Sequence, residues 1–420
     1  MPNPIIFHID VNSAFLSWES CYRLANDPDA IDLREIPAVV GGDQETRHGI
    51  VLAKSMAAKK YGISTAEPLV SACKKCPNLT IVKPNFKVYV EYSNRFIEIL
   101  KRYAPVVEQF SIDEAFCDMT GTENLYGDMM EFANFIRETI YQELGFTVNI
   151  GVSENKLLAK MASDFEKPNK VHSLFRHEIQ TKMWPLPVGE LFSVGKSSRV
   201  KLQALGIRTI GDLAKMDPAI LKSHFKSHGE TIWNYANGND MELVTDHHQP
   251  NKGYGNSITV PNDVTDAETA KMILLSLTET VSARIRADKT YISVVSVHLT
   301  DYEFHRSSRQ TTLLSPTNIT ENIYRSVCTL FDQLWDGTPI RLLGVQTSKA
   351  SAEDSIQYNL FDYKKNEKLE KLDSAIDKIR MKYGEDSIQR ASFIGANQRH
   401  MTGGLNKEKR TSQKGSMDFP

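Results

Sequence analysis

The chain has 420 residues, 41% hydrophobic and 24% charged, with a formal net charge of −2. That is the balance of a soluble globular protein with room for about three domains; no apolar run has the length of a membrane span, and the start, Met1-Pro2-Asn3-Pro4, has neither the basic patch nor the apolar core of a signal peptide. The near-neutral charge excludes nucleic-acid binding by a bulk positive field, so any such function must rest on motifs. Five cysteines (Cys21, Cys73, Cys76, Cys117 and Cys328) form an odd, sparse set, which points to reduced thiols in a cytoplasmic protein. Cys73-Lys74-Lys75-Cys76 lacks the second pair that a structural zinc site needs.

In chain order, residues 5–11 read as a buried strand carrying Asp10. A helix follows to Tyr22, with Ser13 as its cap. Residues 49–52 read as a strand and 55–61 as a helix stopped by Gly62. Residues 86–103 read as a helix whose stripe of Phe86, Tyr89, Tyr92, Phe96, Ile99 and Leu100 belongs in a core. Residues 106–116 form a second strand-like run, carrying Asp113 and Glu114. A helix at 128–144 and a strand at 146–152 complete an α+β or α/β first half. Pro185 and Pro187 mark a boundary. Across 174–240 two small helices joined by glycine-containing hairpins are expected, around Gly195, Gly206 and Gly211. Glycine there lets backbone N–H groups approach a phosphate; an ordinary helical hairpin is the alternative. Residues 241–252, with His247 and His248, read as a linker. Strands at 293–299 and 342–345 alternate with helices at 267–288 and 318–335. A helix at 364–383 follows, and from Gly403 onward too little is apolar to fold.

The two acidic strand runs are the informative feature. Two unit negative charges about 4 Å apart repel by roughly 4 kcal/mol at an effective dielectric near 20. Asp10, Asp113 and Glu114 therefore converge only if cations lie between them. Oxygen ligands suit Mg²⁺, and the arrangement points to two-metal phosphoryl transfer. The alternative is that these acids end strands and face solvent.

Three segments together are more specific: His8-Ile9-Asp10-Val11-Asn12-Ser13-Ala14-Phe15, Ser111-Ile112-Asp113-Glu114-Ala115-Phe116, and Gly151-Val152-Ser153-Glu154-Asn155-Lys156 followed by Lys167-Pro168-Asn169. In this order and spacing the chain resembles the Y-family DNA polymerases, in their DinB branch of Gram-positive style, over residues 4–355. The resemblance implies an α+β right hand. Its palm would take residues 1–13 and 86–173, its fingers 14–85 and its helix-hairpin-helix thumb 174–240. The linker would be 241–252, the α/β little finger 253–354 and the tail 355–420.

The resemblance also implies roles. Asp10 and Asp113 would bridge two Mg²⁺ ions, Glu114 would hold the catalytic one, and the Val11 carbonyl would complete the nucleotide-side one. A primer 3′-hydroxyl would attack the α-phosphate of a dNTP on primer-template DNA. Phe15 would exclude a 2′-hydroxyl. Lys59 and Lys167 would grip the triphosphate, although Lys59, Met56 and Ala53 stand where relatives often carry Arg, Tyr and Thr. Gln357-Tyr358-Asn359-Leu360-Phe361 resembles the peptide that docks on the sliding clamp (β subunit), through Gln357, Leu360 and Phe361. No segment is left for a proofreading exonuclease, so low-fidelity translesion synthesis by a cytoplasmic monomer with no membrane partner is expected. Residues 253–355 hold 9 Lys+Arg against 12 Asp+Glu; a DNA grip there requires a local stripe, for which Arg284, Arg286, Arg306 and Arg309 are candidates. A nucleotidyl cyclase, a catalytically inactive clamp-tethered DNA-binding protein and a UmuC-type subunit are the competing readings.

Overall fold

The computed structural model describes residues 4–42, 47, 49–246, 250–352, 363–395 and 398–402. They form two units, residues 1–41 with 51–248, and residues 42–50 with 249–420. His247, His248, the clamp-like peptide 357–361 and the end from Gly403 lie outside the described residues. No helix among the described residues is long and apolar enough to cross a membrane. All five cysteines are free thiols.

The first unit runs β1 (Ile6–Val11), α1 (Ala14–Asn26), β2 (Ala38–Gly41), β3 (Val51–Lys54), α2 (Met56–Lys59), α3 (Leu69–Lys75), β4 (Thr80–Val82) and α4 (Phe86–Lys101). It continues with β5 (Val106–Gln109), β6 (Glu114–Asp118), α5 (Glu123–Tyr126), α6 (Met129–Leu144), β7 (Val148–Ser153), α7 (Lys156–Ser163) and β8 (Val171–Ser173). Four helices then follow, α8 (Lys196–Ala204), α9 (Ile210–Lys215), α10 (Pro218–Phe225) and α11 (Ser227–Ala236).

A five-stranded sheet, ordered β5-β6-β1-β7-β8, places β1 at its centre. Period-two alternation divides its faces. Phe7, Ile9, Val11, Ala115, Cys117, Val148, Ile150 and Val152 join one core, which also takes Tyr89, Tyr92, Phe96, Ile99 and Leu100 of α4. The opposite face presents His8 and Asp10 of β1, Glu114 and Phe116 of β6, and Asn149 and Gly151 of β7 as cross-strand partners. Helix α7 lies on that face. A Cβ on Gly151 would stand 1.9 Å from the Ala159 carbonyl oxygen and 2.5 Å from the Ser163 amide nitrogen, so only glycine permits this backbone-on-backbone approach.

Three local readings change. The run 106–116 is not one strand: it breaks after Gln109 and resumes at Glu114, forming an antiparallel pair with Glu108 opposite Phe116. The Phe110 and Ser111 amides both donate to the Glu114 carbonyl to close the turn. Ser13 adopts left-handed backbone with φ 49° and its side chain caps nothing; the hydroxyl of Ser17 instead donates to the Asn12 carbonyl. Residues 196–236 hold four helices rather than two. Their turns combine Gly206, with φ +84°, with a Thr209–Asp212 capping box at the start of α9.

The second unit contains β9 (Gly255–Val264), α12 (Ala267–Ala287), β10 (Thr290–Asp301), β11 (Arg306–Thr317), α13 (Thr320–Leu334), β12 (Ile340–Ala352) and α14 (Tyr363–Tyr383). Its antiparallel sheet is ordered β11-β10-β12-β9, and Val295, Val297 and Leu299 share a core with apolar residues of α12 and α13. Helix α14 is bound to α12 by buried charge. Arg286 pairs with Asp377 at 2.6 Å and Asp373 at 3.1 Å, and Glu279 pairs with Arg380 and Arg390. Arg286 is thereby removed from the candidate DNA-binding stripe. Arg284 lies over the Tyr254 ring, while Arg306 and Arg309 stay exposed on β11.

Candidate active site on the α7 face of the central sheet

The sheet brings the sequence-predicted carboxylates together. Asp10 and Glu114 are direct partners across β1 and β6, a spacing of about 4.5–5.5 Å between Cα atoms. Asp113 ends the turn before β6, and the Val11 amide donates to its carbonyl oxygen at 3.0 Å. This bond fixes the end of β1 to the turn. The carboxylate oxygens of Asp10, Asp113 and Glu114 do not all fall within 4.8 Å of one another. Two of the three are instead closed by lysines: Lys167 Nζ lies 3.1 Å from Asp10 Oδ1, and Lys160 Nζ lies 2.6 Å from Glu114 Oε2.

Electrostatics separates the three acids. Burial raises the pKa of Asp10, against the pull of Lys167. Burial also raises Asp113, opposed by the Ser111 hydroxyl that donates to its Oδ1 at 2.7 Å. Burial pushes Glu114 up as well, but His8 and Lys160 outweigh it and hold it below the ordinary carboxylate range. His8 is fully buried. Its Nδ1 meets the Ser163 hydroxyl at 2.8 Å and its Nε2 stands 3.6 Å from Glu114 Oε2, beyond hydrogen-bond reach, so the short Lys160 contact is the stronger hold. Asp113, and Asp10 in spite of Lys167, thus retain a demand for positive charge that the protein meets only in part. An all-oxygen set with that demand fits a hard divalent cation.

The loop carrying Lys167 is tied down by two asparagines. Asn149, fully buried, donates to the carbonyls of Ser163 and Glu166 and accepts from Asn12 Nδ2 and the Lys170 amide. Asn12 Oδ1 accepts from the Thr147 hydroxyl and the Asn169 amide. Phe15 lies in the first turn of α1, with its ring stacked on Tyr89 at 4.9 Å and edge-on to Phe86. The Tyr89 hydroxyl in turn donates to Glu19. Lys59 ends α2 and makes no ion pair with a described residue. Its charge, after burial, helps lower the pKa of Lys54, and Met56 beside it is exposed.

The motifs did not single out Lys160, His8, Asn149 or Gly151 for any role. The available signals were a glycine and an asparagine inside a buried strand, and Lys156 and Lys160 spaced one turn apart on an otherwise apolar α7.

Known proteins show which family the chain belongs to. Residues 9–164 match the impB/mucB/samB family and residues 251–360 match that family's C-terminal domain. The chain belongs to the impB/mucB/samB family. A DNA polymerase IV of Clostridium acetobutylicum is 47% identical over 93% of this chain and 98% of its own. DNA polymerase IV 2 of Bacillus subtilis is 37% identical over 94% and 96%. A solved Y-family DNA polymerase chimera superposes with a TM-score of 0.70 at 22% identity, covering 83% of this chain and all of that one. The fold is therefore the right hand of a Y-family DNA polymerase, and membership favours none of the competing readings.

Because Asn149 satisfies four polar groups at once, Asn149→Leu should leave them unpaired and cost about 3 kcal/mol. Urea unfolding should show a lower midpoint at unchanged slope. An unchanged midpoint would mean that the Lys167 loop is held by other contacts.

Proposed function

We propose that the cluster of Asp10, Asp113 and Glu114 is the catalytic centre of this DNA-directed DNA polymerase, which adds dNTPs to a primer 3′-hydroxyl in low-fidelity translesion synthesis without proofreading. The observation that carries the proposal is the β1–β6 register, which sets Asp10 opposite Glu114 on a face where both are half-buried beside lysines. The five-stranded sheet with α4, α6 and α7 would be the palm (residues 1–13 and 86–173), with fingers at 14–85, thumb at 174–240 and little finger at 253–354.

Asp10, Asp113, Glu114 and the Val11 carbonyl would hold two Mg²⁺ ions. Bound there, these ions lower the pKa of the primer hydroxyl and neutralise the triphosphate and the leaving pyrophosphate. The chain's own groups position and compensate charge. Lys167, now on Asp10 and Asp164, would turn to the triphosphate once cations relieve Asp10. Lys59, with Lys54 nearby, would supply a second point charge in place of the bidentate fork of an arginine. Phe15, immobilised on Tyr89, would meet the sugar and leave no room for a 2′-hydroxyl. Gln357, Leu360 and Phe361 would dock the protein, a cytoplasmic monomer, on the sliding clamp.

Primer extension with Mg²⁺ and dNTPs should proceed with the intact protein and be lost in Asp113→Asn; extension by both at equal rates would remove Asp113 from the centre. Phe15→Ala should incorporate ribonucleotides while keeping dNTP incorporation. A thousandfold sugar preference corresponds to about 4 kcal/mol, within what a rigid clash supplies, and unchanged selectivity would remove Phe15 from the gate. Substituting Gln357, Leu360 and Phe361 together by alanine should abolish stimulation by the clamp, measured against extension without it. Retained stimulation would place clamp docking elsewhere.

A further inference from the structure

Lys160 belongs to none of the roles above, yet it is a closely held cation beside the centre. Its side chain is only 12% exposed. Its Nζ bonds Glu114 Oε2 at 2.6 Å and lies 5.1 Å from the centroid of Phe110 and 5.4 Å from that of Phe192. The two rings stand edge to face, 6.5 Å apart. An ammonium between aromatic faces is held by their quadrupoles as well as by its carboxylate partner. Phe110 comes from the turn that presents Asp113, and Phe192 from the segment leading into α8. The backbone of α7 is in turn fixed to β7 through Gly151. Lys160 therefore has little freedom to leave Glu114.

The contact also selects an atom. Lys160 and His8 both address Oε2 of Glu114, and Oε1 receives no hydrogen bond among the described residues. We infer that Lys160 is the positioning residue for Glu114, holding Oε2 so that the carboxylate offers a single oxygen, Oε1, to a divalent cation in a fixed direction. This inference rests on the reading of Glu114 as a metal-holding carboxylate. It implies two effects of opposite sign. The ammonium orients the ligand, which favours the reaction. It also places a positive charge beside the cation site, which weakens cation binding. A lysine serving only to neutralise a buried glutamate would give no such opposition, because its loss would disorder the site and weaken both.

The test compares Lys160→Met, Lys160→Gln and Lys160→Arg with the intact protein, all checked for folding by urea unfolding. Mn²⁺ binding to the protein alone is followed by electron spin resonance, and single-turnover dNTP incorporation is followed with primer-template DNA. In the uncharged variants Mn²⁺ affinity should rise about tenfold, because a like charge within a few ångströms is gone. The incorporation rate at saturating dNTP should fall about 10–100-fold, the usual cost of losing a group that orients a metal ligand. The KM for dNTP should change little, and Lys160→Arg should recover most of the rate. If Met does not fold, the shorter, hydrogen-bonding Gln variant carries the same comparison. Unchanged or weaker Mn²⁺ binding in the folded uncharged variant, or an unchanged rate, would overturn the assignment. Asp113→Asn separates the two readings: loss of extension there alongside a normal Lys160→Met refutes only the role of Lys160, whereas full extension and Mn²⁺ binding by Asp113→Asn removes Asp113 from the centre and overturns the reading on which the role of Lys160 rests.

Discussion

The face that carries Asp10 and Glu114 depends on one close approach, that of the α7 backbone to β7 at Gly151. A methyl group at that position would overlap the Ala159 carbonyl, so the helix could not lie this close to the sheet. Three consequences follow from the same approach. Ser163 meets His8, Lys160 meets Glu114, and the chain leaving α7 at Asp164 returns with Lys167 against Asp10. One helix and the loop that follows it thus supply both lysines paired with Asp10 and Glu114 among the described residues. Since protein interiors are close-packed and transmit displacement, the spacing between helix and sheet sets the geometry of all three contacts together.

Charge balance is the second constraint. Three carboxylates gathered on a half-buried face repel one another, and burial penalises each of them. The protein answers with two lysines for three acids, leaving Asp10 and Asp113 with raised pKa values and Glu114 held ionised. The incomplete compensation is what suits the site to divalent cations: full neutralisation by lysine would leave no demand for them. The second unit resolves the same problem differently. There Arg286 and Glu279 are fully paired by α14 and the residues after it, and the outcome is attachment of the helix rather than an open site.

Much of the fold was legible because its signals are local. Period-two and period-3.6 patterns placed β1, α4, α6, α12, α13 and α14 within a few residues, and the aromatic stripe of α4 lies in the core as its spacing implies. The misreadings fall where a local pattern has two solutions. Residues 106–116 look like one apolar strand, but the sheet needs a turn to bring Glu114 opposite Asp10, and the carbonyl of Glu114 takes two amide donors to make it. Ser13 has the chemistry of a cap, but the sharp exit from β1 forces left-handed backbone there. Arg286 looks like a surface cation and is buried by acids some ninety residues later in the chain.

By itself, the sequence determined the family and the class of fold, and it singled out the three carboxylates with Phe15 and Lys167 as the candidate site, because these are read from residue types at short spacings. Only the tertiary structure decided which cation serves which acid, that Asn12 and Asn149 hold the Lys167 loop, and that Lys160 lies between Phe110 and Phe192. Those contacts join residues tens to well over a hundred positions apart, and their formation is governed by sheet register and by the one helix–sheet distance that Gly151 allows, neither of which any local run of residues encodes.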